Sequence, residues 1–422
     1  MTNKAYVHHC SWSEGEEIPF LFPSALRFYN ARISCAKDPN KQYPEGGLYH
    51  LKSALVKVAL AQVSDPVLTP FQRVQEHTKG IDLTELVESC AVYFLARAFQ
   101  DIRKQLKQRL PDFGDQVKDY LAINMAVPVE NAEQCAVNDM FMRIFNEAWN
   151  LSKSSGLPSE AAITELRAIR EDGRRSSDPS SIQSCFLYPE VSANVQGFVR
   201  SRVSSPGIYL FSDTGGGSVD QSIFIFLRQV DGLESLTYLT GRVYALGSSH
   251  IERLAAERAK QSGWKALESW REKKERGDSA PELVYARSMV DDELARRTES
   301  TLFSAKKKLY VKDQLATTRL VFGGGGHCEH PYQRAVLKPF EDGRVFPRSI
   351  KPDVIGLPLP RDLELDGHGN FWMRRLYVAY GLSFERSELA RFTYPKDVST
   401  PEPDEIWQRF KRNDDFPGKD VC

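Results

Sequence analysis

The sequence predicts a two-lobed α/β protein with a cleft between the lobes, and three observations carry that expectation. A chain of 422 residues is too long for one hydrophobic core and favours roughly two or three folding units. Strand-like and helix-like runs alternate along much of it, the pattern of an α/β layer. Two glycine clusters, Gly215 to Gly217 and Gly323 to Gly326, each follow a strand-like run, where the backbone can approach a ligand closely.

From Asp82 to Leu110 apolar residues such as Leu83, Leu86, Cys90, Phe94 and Ile102 recur at helical spacing, and Asp82 with Glu85 resembles a capping box. Tyr120 to Val129 reads as a buried strand stopped at Pro128, and Ala132 to Trp149 returns to helical spacing. Ser, Arg, Gly and Pro dominate from Ser152 to Ser184 and mark a surface loop or linker, with a lobe boundary near Tyr188. Gly207 to Phe211 and Ser222 to Arg228 read as a hairpin, and Thr237 to Leu246 as a further strand. His250 to Arg276 and Asp291 to Tyr310 are charged amphipathic helices separated by Gly277 to Pro281, and Thr317 to Phe322 is a short buried strand. A helix is expected to start near Tyr332, the stretch from Lys338 to Asp366 to be loop-dominated, and the tail beyond Pro395 to be loosely ordered.

Composition narrows the partners. Lys plus Arg and Asp plus Glu number 56 each, so no overall field favours a nucleic acid or an anionic membrane. The seven cysteines are scattered without close pairs, which points to reduced thiols in a cytoplasmic protein. The longest apolar run, Cys90 to Phe99, contains Arg97 and is about half the length a membrane span needs. The first residues, with His8, His9, Glu14, Glu16 and Glu17, form no secretory signal.

The stretch Asp213-Thr214-Gly215-Gly216-Gly217-Ser218-Val219-Asp220 is the main candidate site. Adjacent glycines let successive amides converge on phosphate oxygens. Asp213 is suited to hold Mg²⁺ through its water shell, and Ser218 to donate to a phosphate. A plain hairpin turn between solvent-facing carboxylates is the competing explanation. Gly323 and Gly324 suit a ribose or purine lying against the main chain, or else a strand-to-helix turn.

These segments together resemble the nucleotide-binding domain of the seventy-kilodalton heat-shock chaperones (DnaK-like), in the actin, heat-shock and sugar-kinase superfamily. Asp213 to Asp220 is similar to that superfamily's second phosphate motif, Val321 to Gly324 to its adenosine motif, and Ala245-Leu246-Gly247-Ser248 to the loop after the phosphate hairpin. Pro23-Ser24, Val127-Pro128, Tyr188-Pro189-Glu190 and Val378-Ala379-Tyr380-Gly381 match further, in order, from about residue 18 to 385. The resemblance implies a two-lobed actin-like (ribonuclease H-like) ATPase fold with a central interlobe cleft, Mg²⁺ and ATP or ADP as cofactors, and a protein partner that reads the nucleotide state. It also implies ligand contacts from Gly247 and Ser248, a phosphate contact from Lys52, and a carboxylate near Tyr188 for which Glu190 is the candidate. The expected division is a first lobe over 1–188 with 367–395 returning to it, and a second over 189–345 with a helical subdomain at about 247–311. A loop-rich connection at 346–366 and a tail at 396–422 complete it.

One departure matters. The family's opening hairpin carries an Asp-x-Gly-Thr loop, and nothing between Met1 and Pro23 supplies it, so either the chain is short at its start or the hairpin has been lost. The β-rich peptide-binding domain of the chaperones has no counterpart either. Three functions stay open: a weak ATPase or nucleotide-dependent switch, a degenerate interaction or scaffold protein, and a small-molecule kinase. His327-Cys328-Glu329-His330 and His8-His9-Cys10 are too compact to surround a tetrahedral metal, and neither a Gly-x-Ser-x-Gly elbow nor a P-loop is present.

Overall fold

A computed structural model of the chain describes residues 5–12, 20, 22–37, 47–78, 80–113, 121–127, 134–154, 156–175, 185–199, 204–228, 234–262, 264–326, 330–357, 359–365, 373–385, 388 and 390–401. The His327-Cys328-Glu329 run, Pro128 and the tail from residue 402 lie outside them.

The N-terminal half contains β1 (Ala5–Tyr6), β2 (Ala25–Tyr29), β3 (Arg32–Cys35), β4 (Gly47–Tyr49), α1 (Leu51–Ala59), α2 (Thr69–Glu76) and α3 (Leu83–Arg109). There follow β5 (Ile123–Val127), α4 (Cys135–Leu151), β6 (Glu160–Ala162), α5 (Leu166–Arg175), β7 (Cys185–Pro189) and α6 (Glu190–Val199). The expected cap of α3 forms: the Asp82 carboxylate accepts from the Glu85 amide at 2.8 Å, satisfying one of the amides a helix start leaves open. Strands β4-β2-β3-β6 make an antiparallel sheet, while β5 and β7 pair in parallel with Ile123 beside Cys185. One core joins Leu26, Leu48, Phe71, Tyr93, Phe145 and Leu166.

An ion network links three helices of this core. Arg170 is 4% exposed, and Glu88 and Glu147 are 5% exposed each. Arg170 Nε lies 2.6 Å from Glu147 and its terminal nitrogen contacts Glu88. Arg174 adds a 2.8 Å bond to Glu147, and Arg143 pairs with Glu88. Such charges are tolerated in a core only when each finds a partner.

The second half begins with β8 (Gly207–Thr214), β9 (Val219–Arg228) and β10 (Glu234–Tyr244), then α7 (Ser248–Arg258), α8 (Trp264–Glu275), α9 (Pro281–Lys308), β11 (Arg319–Gly323) and α10 (His330–Glu341). It closes with β12 (Val354–Ile355), β13 (Leu363–Glu364), α11 (Met373–Leu382) and β14 (Arg391–Thr393). The six-stranded sheet has the order β12-β11-β8-β9-β10-β14. Its β8-β9-β10 meander is antiparallel, and β11 joins β8 in parallel. Alternation along β8 and β9 sends Ile208, Leu210 and Ile223 into a core with α7, α9 and α10. Tyr209, Phe211, Phe224 and Phe226 enter a second core with Val195 and Phe198 of α6. The sheet is therefore covered on both faces, which explains the near-continuous apolar character of its central strands.

Four sequence expectations change. The stretch from Ser152 to Ser184, read as a surface loop or linker, carries β6 and α5 with Leu166 and Arg170 buried, because a polar composition hides the few apolar positions that dock on the core. The helix read from Asp291 starts at Pro281, where proline suits a first helical turn. The run His250 to Arg276 is two helices, because Lys260 takes a left-handed conformation (φ 53°) just after α7. The loop-dominated stretch begins later than Lys338, since α10 continues through Pro339 to Glu341. Helices α6 and α11 pack directly on each other, and a Cβ at Gly381 would run into the Ala193 carbonyl oxygen. Asn124 Nδ2 of β5 donates to the Leu382 carbonyl at 2.7 Å, holding the end of α11 beside that strand.

Candidate functional site

The β8–β9 turn folds as the alternation of its strands requires. Asp213 and Asp220 are directly opposed across the hairpin, a like-charge pairing that is unfavourable unless something neutralises it. The Gly215 amide donates to the Ser218 carbonyl at 2.9 Å and closes the turn. Ser218 Oγ donates to Asp220 at 3.2 Å. The following loop braces it, with the Ser248 amide donating to the Gly215 carbonyl at 3.0 Å and that of Gly247 to Gly217 at 3.4 Å. Both amides are thus engaged in supporting the turn. The amides of Gly216, Gly217 and Ser218 meet no acceptor among the described residues.

The second glycine cluster lies beside the first. Parallel pairing of β11 with β8 sets Gly323 opposite Asp213. Gly324 has a left-handed φ of 78°, and a Cβ there would collide with Asp213 Oδ1 and the Thr214 carbonyl. At Gly326 it would lie 2.6 Å from Thr214 Cγ2. Both conformation and space therefore call for glycine at position 324.

Residues from the N-terminal half complete the cluster. Lys52 Nζ is 2.7 Å from Glu190 Oε2, with the two side chains 44% and 19% exposed. Asn194, one helical turn beyond Glu190 on α6, donates from Nδ2 to Asp213 Oδ2 at 2.8 Å. Burial, reinforced by the Glu190 charge, pushes the Asp213 carboxyl up to about 7 against the opposing pull of Asn194 and Lys52. Burial and Glu190 likewise raise Asp220 well above the usual carboxylate range. Burial works to lower Lys52, but Glu190, Asp220 and Asp213 outweigh it and hold the ammonium charged. His50, just before α1, sits with its Nδ1 3.5 Å from where a Gly217 Cβ would be. Burial, then Arg253 and Arg271, lower its affinity for a proton.

The sequence-predicted positions Asp213, Gly215, Gly216, Gly217, Ser218, Asp220, Gly247, Ser248, Gly323 and Gly324 therefore converge, with Lys52 and Glu190 facing them. Asn194 and His50 went unnoticed in the sequence. The four-residue spacing from Glu190 is a signal for Asn194, whereas nothing local marks His50. Buried Asp220 Oδ1 and Asn194 Oδ1 have no hydrogen-bond partner among the described residues. No group of three or more His, Cys, Asp or Glu suited to hold a metal occurs among the described residues, so direct multidentate ligation by protein carboxylates does not fit. A water-mediated ion facing Asp213 and Asp220 does. An open depression of about 420 Å³ lined by Arg103, Lys104, Lys107 and Gln108 shares no residue with this cluster.

The other candidates resolve structurally. His8 Nε2 lies 3.1 Å from Asp101, which also accepts from the Ser11 amide at 2.9 Å, so His8 helps tie the N-terminal segment to α3. Cys10, Cys35, Cys90, Cys135 and Cys185 are unbridged. No described helix is long and apolar enough to cross a membrane.

No protein-family model matches the chain, and no curated protein matches it. Among solved structures, a pCBH ParM non-polymerisable quadruple mutant matches at 14% identity over 48% of this chain and 56% of that one, with a TM-score of 0.30. A PilM–PilN type IV pilus biogenesis complex matches at 15% identity over 53% of this chain and 58% of that one, with a TM-score of 0.32. The chain thus spans little more than half the length of either neighbour, and a likeness of this degree carries no argument about activity.

Proposed function

We propose that the chain is an actin-like nucleotide-binding protein that closes two lobes around the phosphates of Mg-ATP. The observation that carries this reading is the β8–β11 register, which sets Gly323 beside Asp213 and brings both glycine clusters to one place. In it, the unengaged amides of Gly216, Gly217 and Ser218 receive phosphate oxygens. Asp213 and Asp220 face the water shell of Mg²⁺, and Gly323 and Gly324 border the adenosine. A bound divalent ion supplies the positive charge that the paired carboxylates lack. Lys52 and Glu190 position the phosphate end of the ligand, and turnover, where it occurs, is phosphoryl transfer to water by positioning and charge stabilisation. Closure of the lobes would report the nucleotide state to a protein partner. Titration calorimetry with Mg-ATP tests the site: Asp213→Ala weakens binding at least tenfold, and an unchanged affinity removes the site from consideration.

A second reading is an interaction protein that binds nucleotide without turning it over. Single-turnover measurement separates the two. Phosphate release that disappears in Asp213→Asn would exclude the inactive version.

A further inference from the structure

Electrostatics poses a problem for any phosphate ligand at this site. Asp213, Asp220 and Glu190 contribute three carboxylates, and the facing Lys52 is already bonded to Glu190 at 2.7 Å. A polyanion entering such a field needs further positive charge.

One guanidinium is placed to supply it. Arg375 lies in the first turn of α11 and is exposed. It reaches the tetraglycine turn: a Cβ at Gly325 would sit 3.0 Å from Arg375 Nε and 3.3 Å from its terminal nitrogen Nη2. Gly325 is not among the glycines with left-handed φ, unlike Gly324. The backbone conformation at 325 therefore does not require glycine. The missing side chain instead leaves the space that the guanidinium fills. The same turn touches the phosphate-loop side, because a Cβ at Gly326 would lie 3.4 Å from the Gly215 carbonyl oxygen. Arg375 thus stands over a turn that abuts the hairpin loop. It is carried there by a helix docked on α6, the helix that holds Glu190 and Asn194.

We infer that Arg375 is a ligand-binding residue of this site, closing over the tetraglycine turn to make a charge-assisted contact with the phosphate chain of the bound nucleotide. The inference rests on the nucleotide reading above. Arginine suits the role because its planar fork can grip two phosphate oxygens at once. Nothing in the sequence marks Arg375 for it, since the contact depends on how α11 docks.

The test is calorimetric titration of Mg-ATP into the full chain and into Arg375→Gln, Arg375→Lys and Gly325→Ala, with melting curves recorded for each. Loss of one charge-assisted contact corresponds to about a ten- to hundredfold weaker Kd, expected for Arg375→Gln with a melting temperature within a few degrees of the parent. Arg375→Lys should fall between the two. Gly325→Ala, which displaces the guanidinium without removing its charge, should also weaken binding. An Arg375→Gln affinity within twofold of the parent would overturn the inference while leaving the nucleotide reading intact, as would a Lys variant no better than Gln. A parent chain that binds no Mg-ATP would overturn the nucleotide reading itself, and this inference with it.

Discussion

Two clusters of carboxylates, one buried and one half-buried, are neutralised very differently. In the α3–α4–α5 core, Glu88 and Glu147 face Arg143, Arg170 and Arg174, so cations outnumber anions. At the hairpin, Asp213, Asp220 and Glu190 face Lys52, and anions dominate. The first cluster resolves its charge internally, as structural networks do. The second leaves orphaned oxygens and an excess of negative charge, and burial, reinforced by the Glu190 charge, raises the proton affinity of Asp213 and Asp220. On the proposed nucleotide reading, incomplete neutralisation is what distinguishes the second cluster from a network that only holds helices together.

The largest effect should come from breaking the resolved cluster. Arg170→Leu leaves Glu88 and Glu147 each with only a partly exposed arginine and should cost about 3–5 kcal/mol in urea denaturation, with nucleotide binding unaffected in whatever fraction stays folded. A loss under about 1 kcal/mol would mean that this cluster is as open to solvent as the other. Next comes Gly324→Ala, where a left-handed φ and a collision with Asp213 should cost roughly 1–3 kcal/mol and weaken Mg-ATP binding as well. A purely thermal effect would detach the tetraglycine turn from the site.

Asp213→Asn is smaller and sharper. The folded state holds the Asp213 proton up to about pH 7, whereas an ordinary Asp releases it near 3.8. Between those values the folded chain binds more protons than the unfolded one, so the group's contribution to stability declines as pH rises. Asparagine removes that decline. The variant should match the parent near pH 4 and gain on it near pH 8, by on the order of 1 kcal/mol once solvent screening of a half-buried group is allowed for. A gain that is flat with pH would show that the carboxylates are not competing for charge. By the same linkage, Mg²⁺ must displace the proton, so Mg-ATP affinity in the parent should strengthen as pH rises through about 7. The smallest effect is the control: Asp292→Asn, which removes an exposed 2.8 Å pair with Lys338, should change stability by no more than about 0.5 kcal/mol.

What was legible in the sequence follows its range of interaction. The α3 cap, the β8–β9 hairpin and the short strand ending at Phe322 were readable because capping, turns and strand patterning operate over a few residues. The break after α7 was not, since Lys260 carries no glycine signal for its left-handed conformation. The continuation of α10 through Pro339 was also hidden, because packing of that helix against α9 overrides the local preference to stop.

By itself, then, the sequence determined which residues are chemically equipped: glycine runs that admit close approach, acids at strand ends, and a lysine and a glutamate at helix starts. Tertiary structure alone decided that these meet. The parallel pairing of β11 with β8 sets Gly323 against Asp213, and the docking of α11 on α6 carries Arg375 over Gly325. The physical reason is that parallel strand pairing and helix docking join segments far apart in the chain, through contacts set by core packing rather than by any local periodicity.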